Sequence, residues 1–443
     1  MSMVVKNNMS AISTLNTLNK NSSALSKSLE KVSSGMKING AADDASGYAI
    51  SERMRVQIRG LDQANSNTQN GNAMMKVAEG AVSSTVDILK TLKEKVINAA
   101  NDTNTDSDRQ TIQKELDQSI DQIDDNANIT YNGKYLVDGS HNNKTNQTTT
   151  AMTNESLDAT TKDGSKLTDL KSRTGESLNI HSTDNVTISY VKQGKTYSTT
   201  FSIGSTNTLA NVIGKAAYNG KESIQNALEF KVSSATSRIG VDGSGNTIYT
   251  ADKGCAMTLT AASAGLNGQV SGFTISITNN KGQINKSANA VLDNFSETIR
   301  AQNKSEQDNA MVFQVGTKAN QAIKVGLTDM RSNALGLKGT DGETLNVSTQ
   351  VKANAAINVL DNAIQKALDQ QTTIGSVESR LSYTASNLTT ASENVQASES
   401  TIRDADMAKE MTNYTKNNVL LQAAQSMLAQ ANQSSSSVLS LLQ

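Results

Sequence analysis

His141 and His181 are the only two histidines in the chain, so acid–base or metal chemistry would have to start from them. A zinc hydrolase needs paired ligands one helical turn apart with a glutamate between, as in H-E-x-x-H. Neither histidine has that setting, and both read as solvated loop side chains. Asp43 and Asp44 stand side by side and could share a metal or a proton. Their place just ahead of a long helical pattern fits a helix cap better, because a carboxylate there accepts the unpaired N–H groups of the first turn. Gly194, Gly204, Gly214 and Gly220 lack the G-x-x-x-x-G-K-[ST] spacing that cradles phosphate and read as turns. The single Cys255 excludes an intrachain disulfide framework and reads as a small buried hydrophobe. Ser/Thr-rich stretches offer hydroxyls for glycosylation, with plain solvated surface as the simpler reading. These residues imply no enzyme, no metal and no cofactor.

What the spacing does build is two ladders with a heptad step. One is Met54, Leu61, Thr68, Met75, Val82, Leu89, Val96; the other is Leu360, Ala367, Ile374, Leu381, Leu388, Val395, Ile402. A heptad repeat keeps one seam of a helix facing a partner, so each ladder predicts a long coiled-coil helix. The simplest burial packs one helix on the other, so that the chain goes out, makes something else and returns. Beside the second ladder lie Ala363, Gln370, Val377, Thr384, Ala391 and Ser398. Such small residues bury little area, so this seam needs several neighbours.

The two ends carry shorter seams of the same kind. Near the start, Leu15, Leu29 and Met36 form one line and Leu18, Leu25 and Val32 the other; Gly35 and Gly40 end that helix. Near the finish, Met407, Tyr414, Leu421 and Leu428 form a line with Met411 beside it, resuming after a phase break at Arg403-Asp404-Ala405-Asp406 and pointing on to Leu442. Matched lengths put this break and the one at 40–47 at the same height. Between the ends, a helix from about Ser107 to Asn128 precedes a tight turn at Tyr131–Lys134. Residues 140–165 read as loop, and Val186–Tyr190 with Thr196–Ile203 as a hairpin around Gln193-Gly194-Lys195. Leu209–Phe230 has helix-like patches, and Thr247–Leu259 and Phe273–Ile277 read as strands.

The predicted fold is therefore mainly α: a long antiparallel coiled-coil or helical-bundle rod formed by both termini, with a β-rich α+β inserted outer domain. The divisions expected are 1–43 with 403–443, 44–140 with 306–402, and 141–305. Composition agrees. Aromatics make up only 3% of the chain, and there is neither Trp nor Pro; an interior Pro would cost a helix about 3 kcal/mol. A net charge of −1 points away from nucleic acid and anionic membrane, and no stretch is apolar enough to span a bilayer. The N-terminus lacks the apolar core of a secretory signal, which reads as cytoplasmic unless a specialised export machine recognises another signal.

Ser33-Ser34-Gly35-Met36-Lys37-Ile38-Asn39 followed by Asp43-Asp44-Ala45-Ser46-Gly47 resembles the N-terminal signature of bacterial flagellins. Arg380-Leu381-Ser382-Tyr383, Ile402–Ala408 and Met427–Gln433 resemble the matching C-terminal signature. The resemblance covers about 1–140 and 310–443. It implies a structural subunit that polymerises into the flagellar filament for swimming, with a hook–filament junction protein as the alternative. It further implies export of the unfolded chain through a flagellar type III apparatus and an extracellular location. The implied partners are copies of itself, an export chaperone on the C-terminal segment, and filament cap and hook-junction proteins. Flagellins detected by a host Toll-like receptor carry an Arg-rich helix patch ending in Glu-Leu. The matching residues here are Lys90, Lys93 and Glu94, with Thr91 in place of an Arg and Lys95 in place of the Leu, which leaves receptor activation open. Ser434–Ser437 stands where flagellins often carry Pro.

On this reading Leu15, Leu18, Leu25, Leu29, Val32, Met407, Met411, Tyr414, Leu421 and Leu428 are polymerisation seam. The ladder residues Met54, Leu61, Met75, Val82, Leu89, Val96, Leu360, Ile374, Leu381, Leu388, Val395 and Ile402 are long-helix core. The segments 1–40 and 405–443 are expected to order only when neighbours cover them. Met54 and Met75 read as core; Met411 and Met427 fit core packing and a chaperone-binding face equally.

Overall fold

The computed structural model describes residues 8–216, 228–234, 238–249 and 255–441. The chain forms two compact units. Unit 1 is Met1–Thr68, Gln314–Gln321 and Tyr383–Gln443; unit 2 is Gln69–Phe313 and Ala322–Ser382.

Unit 1 is helical. Helix α1 (Met9–Ser34) begins at Asn8, whose Oδ1 accepts the Ala11 N–H at 3.0 Å. It ends at Gly35, whose φ of 72° is the left-handed conformation that turns a chain out of a helix. Helix α2 (Ala45–Ala100) follows. The capping role expected of both aspartates falls to one. Asp44 Oδ1 accepts the Ser46 and Gly47 N–H groups, each at 3.0 Å. Asp43 turns back instead, and its Oδ2 accepts the Asn39 and Gly40 N–H groups at 3.1 and 3.3 Å. Those backbone bonds hold the Asp43 carboxyl below its ordinary range.

Unit 1 also takes the end of helix α6 (Gln350–Arg403) and all of helix α7 (Met407–Leu441). Asp406 opens α7 by accepting the Ala408 and Lys409 N–H groups at 3.0 and 3.2 Å. Leu442 lies outside the described residues. The Gln314–Gln321 segment lies on α2. Asn67 Nδ2 donates to Gln314 O at 3.3 Å, and a Cβ at Gly60 would come within 2.8 Å of Thr317 Cγ2. A side chain at Gly60 would force the Thr317 side chain to move.

Unit 2 combines helices and sheets. Helix α3 (Asp106–Ala127) starts with a reciprocal capping box between Thr105 and Asp108. Buried Arg109 reaches back to the end of α2, where its Nε donates to Ala99 O at 2.9 Å and Nη2 to Asn101 O at 3.0 Å. It satisfies carbonyls that a helix end leaves without a partner. The expected tight turn is a hairpin of β1 (Thr130–Tyr131) and β2 (Lys134–Tyr135), with Asn132 and Gly133 at φ 50° and 76°.

The inserted region contains two larger sheets. Strand β3 is Ala151–Asn154, β4 is Asn185–Lys192 and β5 is Lys195–Ser202; α4 is Leu209–Ala216. Strands β6 (Leu228–Ser234), β7 (Arg238–Val241), β8 (Thr247–Tyr249), β9 (Cys255–Ala261) and β10 (Val270–Thr278) follow. Then come α5 (Lys286–Leu292) and β11 (Ser296–Ile299). One sheet has the order β10-β4-β5 and the other β11-β3-β9-β6; β7 and β8 pair alone. Val186, Ile188, Tyr190, Leu259, Phe273 and Ile275 belong to their shared core.

The β4–β5 hairpin matches the sequence reading. Three neighbouring segments differ from it. The stretch read as loop contains β3, the span from Thr247 to Leu259 is two strands, and Leu228–Phe230 starts a strand where helix-like patches were read. Residues 217–227, inside that last span, lie outside the described residues. Strands β12 (Met311–Gln314) and β13 (Ala322–Val325) make a last hairpin.

Candidate assembly surface

In unit 2 the ladders are sealed. Met75, Val82, Leu89, Val96, Leu360, Ile374 and Leu381 are fully buried, and so are Ile120 and Ile123 of α3. The small positions beside the second ladder are used for close approach. Ala363 is buried, and so is Gln370, whose Oε1 accepts both the Thr328 N–H at 3.2 Å and its Oγ1–H at 2.7 Å. Helix α6 also meets the insert, since Asn358 and Asn362 donate to Phe273 O and Ser271 O at 3.2 and 2.9 Å.

In unit 1 the same ladders loosen. Leu61, Ala64 and Leu388 form a small cluster with Ala391 and Val395, while Met54, Val395 and Ile402 are only half-buried and Ser398 is exposed. Helices α1 and α7 pack on each other. Leu18, Leu25, Val32, Tyr414, Leu421 and Leu428 are half-buried, and the buried residues described on the two helices are Ser28, Ala424 and Ala431. Asn417 Nδ2 donates to Ser28 Oγ at 3.1 Å, and Asn21 Nδ2 to Leu420 O at 3.2 Å. The other line stays open. Leu15 and Leu29 are 45% and 52% exposed, and Met9, Ile12, Met407, Met411, Val419, Leu420 and Met427 are exposed with them. One apolar face of each terminal helix is thus spent on the pair and another is left facing water.

The two breaks are joined by backbone. Met36 and Asp404 form an antiparallel bridge, the Lys37 N–H donates to Arg403 O at 2.8 Å, and the Ala405 N–H donates to Gly35 O at 2.9 Å. The join lies at 35–37 rather than at 40–47. Arg403 organises it. Its Nη1 donates to Glu52 Oε1 at 2.8 Å, its Nε to Met36 Sδ at 3.1 Å, and its guanidinium sits 5.6 Å from the Tyr48 ring centre. The Arg403 hydrogen bond holds the Glu52 carboxyl below its ordinary range. The sequence reading named Arg403 only as part of the break. A lone guanidinium at a phase change was the available signal.

The receptor-patch residues lie on α2. Lys90 pairs with Asp87 at 3.1 Å, Lys93 is tied to Asp361, and Glu94 is exposed.

His141 Nδ1 donates to Asn309 O at 3.3 Å, and His181 Nδ1 lies 3.9 Å from Asp184 Oδ2. Cys255 is buried in β9, and burial pushes its thiol up to about 11. Unit 2 holds a half-open cavity of about 250 Å³ with Asp329 and Lys366 in its wall. Lys366 donates to Ala334 O at 2.8 Å. Burial pushes its ammonium pKa down, and nearby Glu297 and Asp329 offset part of that shift. Among the described residues no group of three or more His, Cys, Asp or Glu side chains is arranged to hold a metal. No helix of the described chain is long and apolar enough to cross a membrane.

Comparison with known proteins bears on what such a surface is for. Residues 5–142 match the bacterial flagellin N-terminal helical region, and residues 357–442 the bacterial flagellin C-terminal helical region. The chain is 34% identical to a flagellin of Clostridium tyrobutyricum over 97% of its own length and 99% of that protein. It is 30% identical to a flagellin of Bacillus subtilis (strain 168) over 99% of its length and 100% of the relative. It is 28% identical, over 99% and 100%, to a flagellar filament 33 kDa core protein of Treponema phagedenis.

Proposed function

This chain belongs to the bacterial flagellin family, and from that premise we propose that the open faces of α1 and α7 are where one copy packs on the next. The protein is a structural subunit of the flagellar filament. The observation that carries the packing proposal is the exposed apolar line, Leu15 and Leu29 on α1 with Met407, Met411, Val419 and Leu420 on α7. Contacts that repeat head to tail without closing a ring generate an open helix.

The α1–α7 pair is weak by itself. Its apolar line of Leu18, Leu25, Val32, Tyr414, Leu421 and Leu428 is only half-buried, and the buried residues described are Ser28, Ala424 and Ala431, so much of the available apolar area stays in water. Neighbouring copies supply the missing burial, so ordering of 1–40 and 405–443 is coupled to assembly. In the filament the working divisions are 1–43 with 403–443, 44–140 with 306–402, and 141–305, the last facing outward. The work asked of the residues is packing rather than catalysis.

The chain is exported unfolded and acts outside the cell. Before assembly an export chaperone covers the C-terminal segment, where Met411 and Met427 are exposed. The filament meets cap and hook-junction proteins at its ends. A host Toll-like receptor reads the Lys90–Glu94 stretch only weakly, because Thr91 and Lys95 stand where an Arg and the Leu are carried.

Extension of filament seeds by the purified chain tests the main proposal. Wild-type chain extends seeds, and chain truncated after Gln422 does not, while unit 2 keeps its circular dichroism. Normal extension by the truncated chain would overturn it.

A further inference from the structure

The methionines of this chain are sorted by exposure. In unit 2, Met74, Met75, Met152, Met257, Met311 and Met330 are each no more than 8% exposed. In unit 1, Met9, Met407, Met411 and Met427 are 71%, 42%, 47% and 62% exposed, all on α1 or α7. Met36 and Met54 are half-buried, and Met36 Sδ is occupied by the Arg403 Nε–H. Met1 and Met3 lie outside the described residues. Among the described residues, then, every well-exposed thioether lies on a terminal helix.

We propose that Met9, Met407, Met411 and Met427 are a reversible oxidation site that switches off assembly of the free subunit. The reactant is a peroxide. The sulfur attacks one peroxide oxygen, the O–O bond breaks, a sulfoxide S–O bond forms, and the other oxygen leaves as water after taking up the proton. Sulfur loses two electrons and the peroxide gains them. The product is a polar acceptor where an apolar side chain stood. On the isolated chain this costs nothing, because the face is in water. Between copies the new oxygen would be buried with no donor waiting for it. Thiol-dependent sulfoxide reduction restores the thioether.

The inference rests on the reading that these faces are buried between copies, and the test separates the two. Purified chain is treated with hydrogen peroxide, mapped by peptide mass spectrometry and then offered to untreated seeds. Sulfoxide is expected at Met9, Met407, Met411 and Met427 and not at the six unit 2 methionines. Seed extension is expected to fall by about tenfold or more, the equivalent of one unpaired buried acceptor. Treatment with methionine sulfoxide reductases should restore it. The variant with Met9→Leu, Met407→Leu, Met411→Leu and Met427→Leu keeps volume and apolarity and should extend seeds after the same treatment. Untreated chain that cannot extend seeds would sink the packing proposal. Untreated chain that extends seeds, with oxidised chain extending them equally fast, would sink this one. Oxidation spread evenly over unit 2 would also overturn it.

Discussion

The two units use the same heptad pattern to different ends. From Met75 to Val96 and from Leu360 to Leu381 the ladders are fully buried, because α3 and the inserted sheets supply further neighbours. Met54, Val395 and Ile402 carry the same pattern into unit 1 and are only half-buried, and Leu15 and Leu29 of α1 are exposed. A heptad seam states that a face is apolar; it does not state that the chain itself covers that face. In unit 2 the covering is built in, and in unit 1 the chain leaves it open, which is what the packing proposal rests on.

The contrast is easiest to break with paired truncations. Leu89→Ala in unit 2 should cost about 2–5 kcal/mol, the loss of transfer energy plus a cavity. Leu29→Ala in unit 1 should change the isolated chain by about 0.5 kcal/mol or less yet slow seed extension. Denaturation midpoints for both variants give the answer, and equal losses would erase the distinction. Arg403→Ala should destabilise unit 1 by about 1–3 kcal/mol, since it removes the donor shared by Glu52 and Met36. In filaments of that variant, hydrogen exchange at the Lys37 and Ala405 amides should quicken while exchange in unit 2 stays unchanged. Thr105→Ala removes the capping box of α3 and should cost unit 2 about 1 kcal/mol, leaving seed extension intact.

Acidity gives the most selective contrast. Burial raises Glu297 from an ordinary 4.5 to about 7, opposed by Arg300 and Lys366, and raises Asp293 from 3.8 to about 7. A raised carboxyl contributes stability that is complete below its unfolded value and is lost as pH rises through the folded one. Going from about pH 8 to about pH 6 should therefore stabilise unit 2, each carboxyl by on the order of 1 kcal/mol. Glu52 in unit 1 is shifted the other way by Arg403. Its contribution is present above the ordinary carboxylate value and is lost only as pH falls through the depressed one, so unit 1 should not respond in that window. Calorimetry across it, resolved by unit through hydrogen exchange, decides the matter; a parallel response of both units would contradict the assignment.

Much of this was readable from residue order. Helix α3 falls within a residue of the expected Ser107–Asn128, and the two ladders lie wholly inside α2 and α6. The Gln193-Gly194 turn was readable because Gly194, at φ 74°, suits a left-handed position. Strand β3 was not, since Ala151–Asn154 is buried on both faces and so shows no alternation. Strand β11 and helix α5 were hidden among polar residues, because Asn285 caps α5 and Thr298 bonds across to β3 through side chains typical of loops. For the assembly surface, the apolar faces were legible. Which line would be paired and which left open was not, because heptad positions on both lines look alike until the partner helix is in place.

The pairing of α1 with α7 also sets an order of events. Asn8 Nδ2 donates to Ala431 O at 3.2 Å across a separation of 423 residues, about as non-local as a contact in this chain can be. Unit 1 cannot close until Ala431 has been translated. Non-local closure of this kind is slow to form. It also works as a completeness check. A product stopped before Ala431 is left with half of the clasp, and on the packing proposal it would be rejected from the polymer by geometry alone.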